Sequence, residues 1–324
     1  MRPDASWAAM CWPAAPSAPR PKSWSPCCPR TASRASRTPP PASTNWWCIP
    51  MTADGDALAG FVGRHRRILV LSGAGMSTAS GIPDYRDRDG VRRGKTPVQG
   101  PEFRKLEAVR KRYWARSMVG YPALSAAAPN AGHAALAGLQ AAGRLGALMT
   151  QNVDGLHQRA GSADVLELHG NIHKVVCLDC HASFPRSFVQ GQLVEANPAL
   201  AGAVATPAPD GDAHLEPDAL AEFHLPYCVH CGGTLKPDVV FFGDGVPAAV
   251  TREALARMEA ADALLVVGSS LVVYSGYRFC RMAAASGKPI AAINLGKTRA
   301  DDLLALKLEA SAESALPALH IRLA

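Results

Sequence analysis

No apolar run in this 324-residue sequence approaches the ~18 residues that a membrane-spanning helix needs. The longest candidates, residues 67–71 and 263–267, have the length of buried strands. The continuous apolar core of a secretory signal is missing as well, and no internal repeat is visible. Nor does the body of the chain carry much charge. The total is +7, but residues 1–50 hold +5 of it, which leaves +2 for residues 51–324. A nucleic-acid partner is therefore not implied. With 48% hydrophobic residues and a mean hydropathy of zero, the composition reads as a soluble globular chain. Its length suits one large domain with a satellite, or two ordinary domains.

Tryptophan is nearly absent after residue 50. Five of the six lie in 1–50, together with 11 of the 26 prolines and four of the nine cysteines. Proline recurs there too often for a helix or a strand. Residues 1–50 read as a dispensable extension with Met51 as the functional start, and a disordered tail or a transit peptide are the other readings. Cys27-Cys28 has no ligand-like spacing, so the segment is given no chemistry. A start at Met51 implies a cytoplasmic location; a transit peptide would imply a mitochondrial one.

After residue 54 the pattern becomes regular. A capped amphipathic helix opens at Asp54, and the strand 67–71 runs straight into Ser72-Gly-Ala-Gly. Helices are expected over 102–118, 130–142, 247–259 and 277–286. Strands are expected over 145–149, 165–168, 237–242, 263–267 and 289–293. Polar and glycine residues cluster at the strand C-termini. This is the pattern of an α/β, doubly wound, Rossmann-like parallel sheet with its ligand across the carboxyl edge. Residues 182–226, rich in Pro, Ala and Gly, break it as an insertion of loops with one short helix. The expected division is a Rossmann-like lobe (51–84, 130–170 and 236–324) and a smaller helical, zinc-ribbon lobe (85–129 and 171–235).

The loop Gly73-Ala-Gly-Met-Ser-Thr-Ala-Ser-Gly81 follows a strand, and glycines there would let the backbone approach a pyrophosphate. Thr78 stands where the usual dinucleotide fingerprint has its third glycine, and no acid ends the next strand, so a plain tight turn stays open. The continuation Gly81-Ile-Pro-Asp-Tyr-Arg86 places an aromatic, an acid and an arginine behind the loop, more chemistry than a turn needs. Cys177-Leu-Asp-Cys180 and Cys228-Val-His-Cys231 are two C-x₂-C knuckles. Together they complete a tetrahedral Cys₄ zinc site, with no corner open for substrate. Disulfides and a redox pair are the competing readings.

These motifs occur in order with Thr150-Gln-Asn-Val-Asp154, Leu168-His-Gly170, Lys236-Pro-Asp-Val-Val-Phe-Phe-Gly-Asp244, Val267-Gly-Ser-Ser-Leu271 and Ile293-Asn-Leu-Gly296. From about residue 55 onward the sequence resembles the sirtuin family, and Arg110 to Pro122 looks like its class II branch. Departures are mild: Tyr85 for the usual Phe, Val153 for Ile, Asp244 for Glu and Ser269 for Thr. The Tyr-x-x-Arg pair of the desuccinylase branch is not found in residues 87–105, so acidic acyl groups are expected to be disfavoured.

The resemblance implies an NAD-dependent protein-lysine deacylase that releases nicotinamide and O-acyl-ADP-ribose, with one structural Zn²⁺ on Cys177, Cys180, Cys228 and Cys231. His169 would be the general base, its pKa lying near working pH. Asn152 would position a ribose or a water, and Asp154 with Val153 would hold the nicotinamide carboxamide. Asp154 also reads as a helix cap. Gly73, Ala74, Gly75 and Ser77 would cradle phosphate. Tyr85 would screen the reacting centre, Arg86 would meet a phosphate, and Gln151 belongs to the same cofactor set. Gly268, Ser269, Ser270, Asn294 and Leu295 would hold the adenosine half. Val240, Phe241, Phe242 and Gly243 would clamp a substrate peptide against Leu271, Val272 and Val273 as an added strand. The expected partners are acyl-lysine peptides, with no nucleic acid and no membrane. The alternative activity on the same site is mono-ADP-ribosyl transfer to protein.

Overall fold

A computed structural model describes residues 53–92, 97–203 and 222–324, and the extension expected at 1–50 lies outside the described residues. The chain begins with helix α1 (Ala53–Arg64) and strand β1 (Ile68–Ser72). Two 3-10 turns follow, at Ala74–Met76 and Thr78–Ser80, then helices α2 (Gly100–Lys105), α3 (Glu107–Ala126) and α4 (Ala131–Ala141). Strand β2 (Leu148–Thr150), the one-turn helix α5 (Leu156–Arg159) and strand β3 (Val165–Glu167) complete the first half. An excursion comprises β4 (Gly170–Cys177), β5 (Ser183–Pro185), α6 (Arg186–Ala196) and β6 (Leu235–Val239). The chain then returns through α7 (Ala248–Ala260), β7 (Ala263–Val267), α8 (Tyr274–Ala285), β8 (Ile290–Ile293), β9 (Leu306–Leu308) and α9 (Ala312–Leu323).

Six strands form one parallel sheet in the order β3-β2-β1-β7-β8-β9. The chain fills one side of β1 first and then the other, so β1 and β7 flank the switch point where ligands bind in such sheets. All five β1 residues are buried because both faces are covered. Ile68 and Val70 pack with Leu58, Phe61, Leu136, Leu139 and Leu316 from α1, α4 and α9. Leu69 and Leu71 pack with Met258 and Phe279 from α7 and α8 on the opposite face. Each of these four aliphatic side chains contributes about 1.5–3 kcal/mol by leaving water.

The excursion builds a second, antiparallel sheet, β5-β4-β6, covered by α2, α3 and α6. Phe103, Tyr113, Trp114, Val175, Val189, Leu193 and Leu235 form its core, together with Cys177 and Cys228. Arg186 is fully buried here, with no carboxylate paired to it among the described residues. It lies over the rings of Tyr121 (4.4 Å) and Trp114 (5.3 Å) and donates to Ser117 and to Gln190 Oε1. Rings and neutral acceptors thus hold α3 to α6 around a cation.

Some expectations change. The strand expected over 237–242 ends at Val239 and pairs antiparallel with β4, outside the large sheet. Beyond it, Val240 N donates to His169 O and Phe242 bridges Gln99, contacts across the chain that a strand pattern does not carry. The helix expected over 102–118 is two, interrupted where Leu106 adopts an extended conformation (φ −111°, ψ 117°). The helix expected from residue 277 begins at Tyr274. The segment 182–226 supplies β5 and α6, while residues 204–221 lie outside the described residues.

The switch point is closed by backbone contact. Gly268 has φ +58°, and a Cβ there would lie 2.5 Å from Met76 N. Gly81 also has a positive φ (+84°) but opens onto free space. We therefore expect Gly81→Ala to cost about 1 kcal/mol of left-handed strain. Gly268→Ala should cost about 3 kcal/mol or more, since strain and a backbone clash add. Urea unfolding of the two variants measures the difference; equal midpoints would contradict the contact.

Candidate functional site

The loop after β1 is laid directly on the end of β7. Gly73 N donates to Val267 O (2.9 Å) and Gly75 N to Gly268 O (2.8 Å). A Cβ on Gly73 would lie 2.7 Å from Ser269 Cβ. The glycines expected to admit a pyrophosphate are thus also required by loop-to-loop packing. The segment Ala74–Ser80 forms two 3-10 turns. Ser77 turns inward: it is buried, donates to Asp154 Oδ2 (2.7 Å) and accepts from Asn152 Nδ2 (3.1 Å).

Of its two expected readings, Asp154 shows the helix cap. Oδ1 caps the entry to α5 by accepting from Leu156 N (2.9 Å), while Oδ2 takes the Ser77 hydroxyl. Asn152 Nδ2 also donates to Gly73 O (3.0 Å), which ties the end of β2 to the glycine loop. Gln151 Nε2 donates to Ser269 Oγ (2.8 Å) and so joins β2 to the β7 loop. Asn294 Nδ2 donates to Leu295 O and Gly296 O, shaping its own turn.

His169 sits in the turn between β3 and β4. Its Nδ1 lies 2.9 Å from Gln151 O, and Nε2 lies 2.7 Å from Ser275 Oγ. A carbonyl can only accept, so Nδ1 carries the proton and Nε2 presents the lone pair. Burial holds the pKa below the ordinary histidine value; the Gln151 carbonyl opposes this and the Arg278 charge adds to it. Burial thus favours the neutral ring, the state required of a base.

These groups line a single cleft of about 620 Å³ at the carboxyl edge of the large sheet. It contains every expected cofactor residue: Gly73, Ala74, Gly75, Ser77, Tyr85, Arg86, Gln151, Asn152, Val153, Asp154, Gly268, Ser269, Ser270, Asn294 and Leu295. Arg86, Arg88, Arg92 and Lys297 line it too, a cationic wall suited to phosphates. Arg86 itself donates to Gly90 O (2.8 Å), which shapes the loop.

The expected peptide clamp also borders this cleft. Phe241 packs against Phe103 and Tyr113, and Leu271 is fully buried, so these two offer backbone only. Phe242, Val272 and Val273 stay exposed at the rim. Asp244 is paired in bidentate fashion with Arg104 (2.5 and 3.1 Å), which fixes the segment after Gly243 to α2.

Sequence reasoning missed several neighbours. Tyr113 is in the cleft wall with Ile82, Val98, Ile172 and Val239. Tyr113-Trp-Ala-Arg116 has the Tyr-x-x-Arg spacing, beyond residues 87–105, so the expected disfavour for acidic acyl groups loses its basis in the sequence. Arg116 does not line the cleft. His173, which had no assigned role, links Tyr121 OH (3.0 Å) to Asp154 O (3.0 Å). His157 binds Ser72 Oγ (2.8 Å), and burial pushes its pKa down to about 3. Ser275 and Arg278 enter from α8, at no distinctive motif spacing.

The four cysteine Sγ atoms lie within 4.8 Å of one another, with Cys177–Cys231 and Cys180–Cys228 each at 3.6 Å. A disulfide would need about 2.05 Å, whereas a tetrahedron with Zn–S of about 2.3 Å has edges near 3.8 Å. The Cys180 amide donates to Cys177 Sγ and, with the Asp179 amide, brings that thiol down to about 7. The set fits one Zn²⁺, closed to substrate.

The Sir2 family pattern matches residues 73–275. The chain is 54% identical over 268 residues to the NAD-dependent protein deacetylase of Xanthomonas campestris pv. campestris strain 8004, spanning 83% of this chain and 92% of that one. It is 53% identical over 253 residues to NAD-dependent protein deacetylase 3 of Pseudomonas syringae pv. tomato, spanning 78% and 90%. A solved Sir2–p53 peptide–NAD⁺ complex superposes with a TM-score of 0.67 at 29% identity, covering 82% of this chain and 97% of its own. Another Sir2 enzyme structure gives 0.66 at 33% identity, covering 85% and 100%. With its glycine loop, histidine turn and cysteine knuckles in place, the chain belongs to the Sir2, or sirtuin, family.

Proposed function

We propose that the protein is an NAD-dependent protein-lysine deacylase. The observation that carries this reading is His169, pinned through Nδ1 to Gln151 and lining the cleft that holds the glycine loop. The deacetylase relatives and the peptide-bound and NAD⁺-bound structural neighbour support it. Bound in this cleft, NAD⁺ supplies an electrophilic ribose carbon and a nicotinamide leaving group.

The chain's own residues then have distinct tasks. Arg86 and the cationic wall meet the phosphates. Gly73, Ala74 and Gly75 let them approach, while Ser77 acts indirectly by fixing Asp154 and Asn152. Asp154 and Val153 hold the carboxamide, Gly268 to Ser270 with Asn294 and Leu295 hold the adenosine half, and Tyr85 screens the reacting centre. His169 Nε2 takes the proton of a ribose hydroxyl. The peptide lies between Val240–Gly243 and Leu271–Val273, recognised through its backbone. Ile82, Val98, Tyr113, Ile172 and Val239 form an apolar wall for the acyl chain. Cys177, Cys180, Cys228 and Cys231 hold a structural Zn²⁺ that ties β4 to the start of β6. Among the described residues no helix is long and apolar enough to cross a membrane.

With NAD⁺ and lysine peptides bearing acetyl, butyryl, lipoyl or succinyl groups, mass spectrometry should show nicotinamide, O-acyl-ADP-ribose and free lysine in equal amounts. His169→Ala should lower that turnover by about 100-fold or more; persistent turnover would remove His169 from its role. Because burial lowers the His169 pKa, the ring is competent below the ordinary histidine value of about 6.5. The acid limb of kcat/KM should therefore fall below pH 6.5, and a limb above that value would contradict the burial argument. Metal analysis should give one zinc per chain. Chelation should abolish the cooperative melting of the β5-β4-β6 lobe, since such sites bind with about 10–16 kcal/mol. An unchanged melting curve after verified zinc loss would refute a structural metal.

A further inference from the structure

The deacylase reading makes His169 Nε2 the reactive atom, and one group stands at that atom in advance. Ser275 Oγ is 2.7 Å away, although 106 residues separate the two in sequence. Since Nδ1 is committed to the Gln151 carbonyl as a donor, Nε2 is an acceptor and the Ser275 hydroxyl donates to it. An imidazole held at both nitrogens can neither flip nor change tautomer without breaking a contact.

Ser275 is built into this position. It lies on the first turn of α8, and the next residue, Gly276, packs so closely that a Cβ there would lie 2.5 Å from Gln151 Oε1. Gln151 supplies the carbonyl that holds His169 Nδ1, and its amide donates to Ser269 Oγ. Ser269 Oγ in turn accepts from Leu271 N (3.3 Å), within a turn where Leu271 has φ +56°. Gln151, His169, Ser275 and Gly276 thus form a closed ring of contacts that fixes the start of α8 against the base. Arg278, one turn further along α8, lines the same cleft and is the charged group acting on the imidazole.

We propose that Ser275 is a positioning residue for the deacylation step, resting on the reading of His169 as base: its hydroxyl holds the imidazole in the Nδ1–H tautomer with Nε2 facing the cleft, and yields that nitrogen to the substrate hydroxyl. In the step, the substrate O–H bond breaks, its proton moves to Nε2, and the electron pair stays on the substrate oxygen. Ser275 keeps its own proton and rotates to accept from the new Nε2–H. A hydrogen bond to an ionised group is stronger than one to a neutral ring, so the hydroxyl favours the imidazolium as it forms.

The test compares Ser275→Thr, which keeps the hydroxyl, with Ser275→Val, which has the same shape without it, in the full-length zinc-loaded protein. ¹⁵N NMR of the histidine rings without NAD⁺, assigned with His169→Gln, should show the pure Nδ1–H tautomer in wild type and Thr, and mixed tautomers in Val. Peptide deacylation kcat should fall about tenfold in Val relative to Thr, the scale of one hydrogen bond to a charged group. Peptide KM should stay within about twofold, and exchange of labelled nicotinamide, which precedes the proton transfer, should persist. The acid limb of kcat should move to lower pH in Val, where the acceptor for the imidazolium is gone. Identical tautomer, kcat and pH profile in the two variants would overturn the proposal, as would equal losses of exchange and deacylation. If wild type deacylates no peptide, the deacylase reading fails, while the ring spectra still decide whether Ser275 holds the base.

Discussion

The contact between the glycine loop after β1 and the Gly268 turn after β7 is the constraint on which the rest of this structure depends. Two backbone hydrogen bonds, Gly73 N to Val267 O and Gly75 N to Gly268 O, close the sheet at its carboxyl edge. Adjacent parallel strands lie about 4.8 Å apart, so loops leaving both at the same end compete for the same space. Glycine in both loops is what allows them to pass. With the two loops locked, Ser77 is held beside Asp154 and Asn152, and Ser269 beside Gln151. The cleft is therefore a by-product of strand order as much as of its lining residues.

A dense polar layer under the cleft is paired in part across the strand ends. Ser72 bonds Thr150 (2.8 Å) and His157, and the rings of His133 and His157 pack in a T-shaped arrangement with centroids 4.9 Å apart. Burying such groups unpaired costs roughly 1–3 kcal/mol each. Here the strand ends supply partners to Ser72, Thr150 and His157 Nε2, whereas His157 Nδ1 and His133 Nε2 find none among the described residues. Burial favours the neutral form of both rings, with pKa values pushed down to about 3 and 4. Rigidity around the cleft follows from the same contacts, since Gln151 holds His169 while Asn152 and Asp154 both hold Ser77.

The smaller lobe solves a different problem. It has a three-stranded sheet and a core that counts two cysteines among its buried residues. Its covering helices are joined by Arg186, a cation held between aromatic rings, and its far end by four sulfurs of one metal site. Lys236 repeats the theme within β6. It lies 4.6 Å from the Phe241 ring centroid and donates to the Pro237 and Val239 carbonyls. Segments with little aliphatic core are thereby placed accurately enough to line a cleft.

Much of this was legible in the residues themselves. Short apolar runs ending in Gly, Ser, Asn or Asp announce buried parallel strands with a ligand edge, because both faces of such strands must be apolar and their loops must be small. Two C-x₂-C knuckles announce a metal, because thiolate spacing is local chemistry. The motifs from Gly73 to Gly296 named more than half of the residues that line the cleft. What the sequence could not carry is what depends on meeting across the chain. Residues 235–239 have the pattern of any strand, yet they leave the parallel sheet for β4, because a partner strand is chosen by three-dimensional packing. Leu306–Leu308 and Ser183–Pro185 are too short to carry a period. Tyr113 reached the cleft wall from a helix outside the segment where such a residue was sought. Ser275 has no motif at all: only the fold brings the first turn of α8 against His169, since a hydrogen bond is set by distance in space and leaves no mark on spacing along the chain.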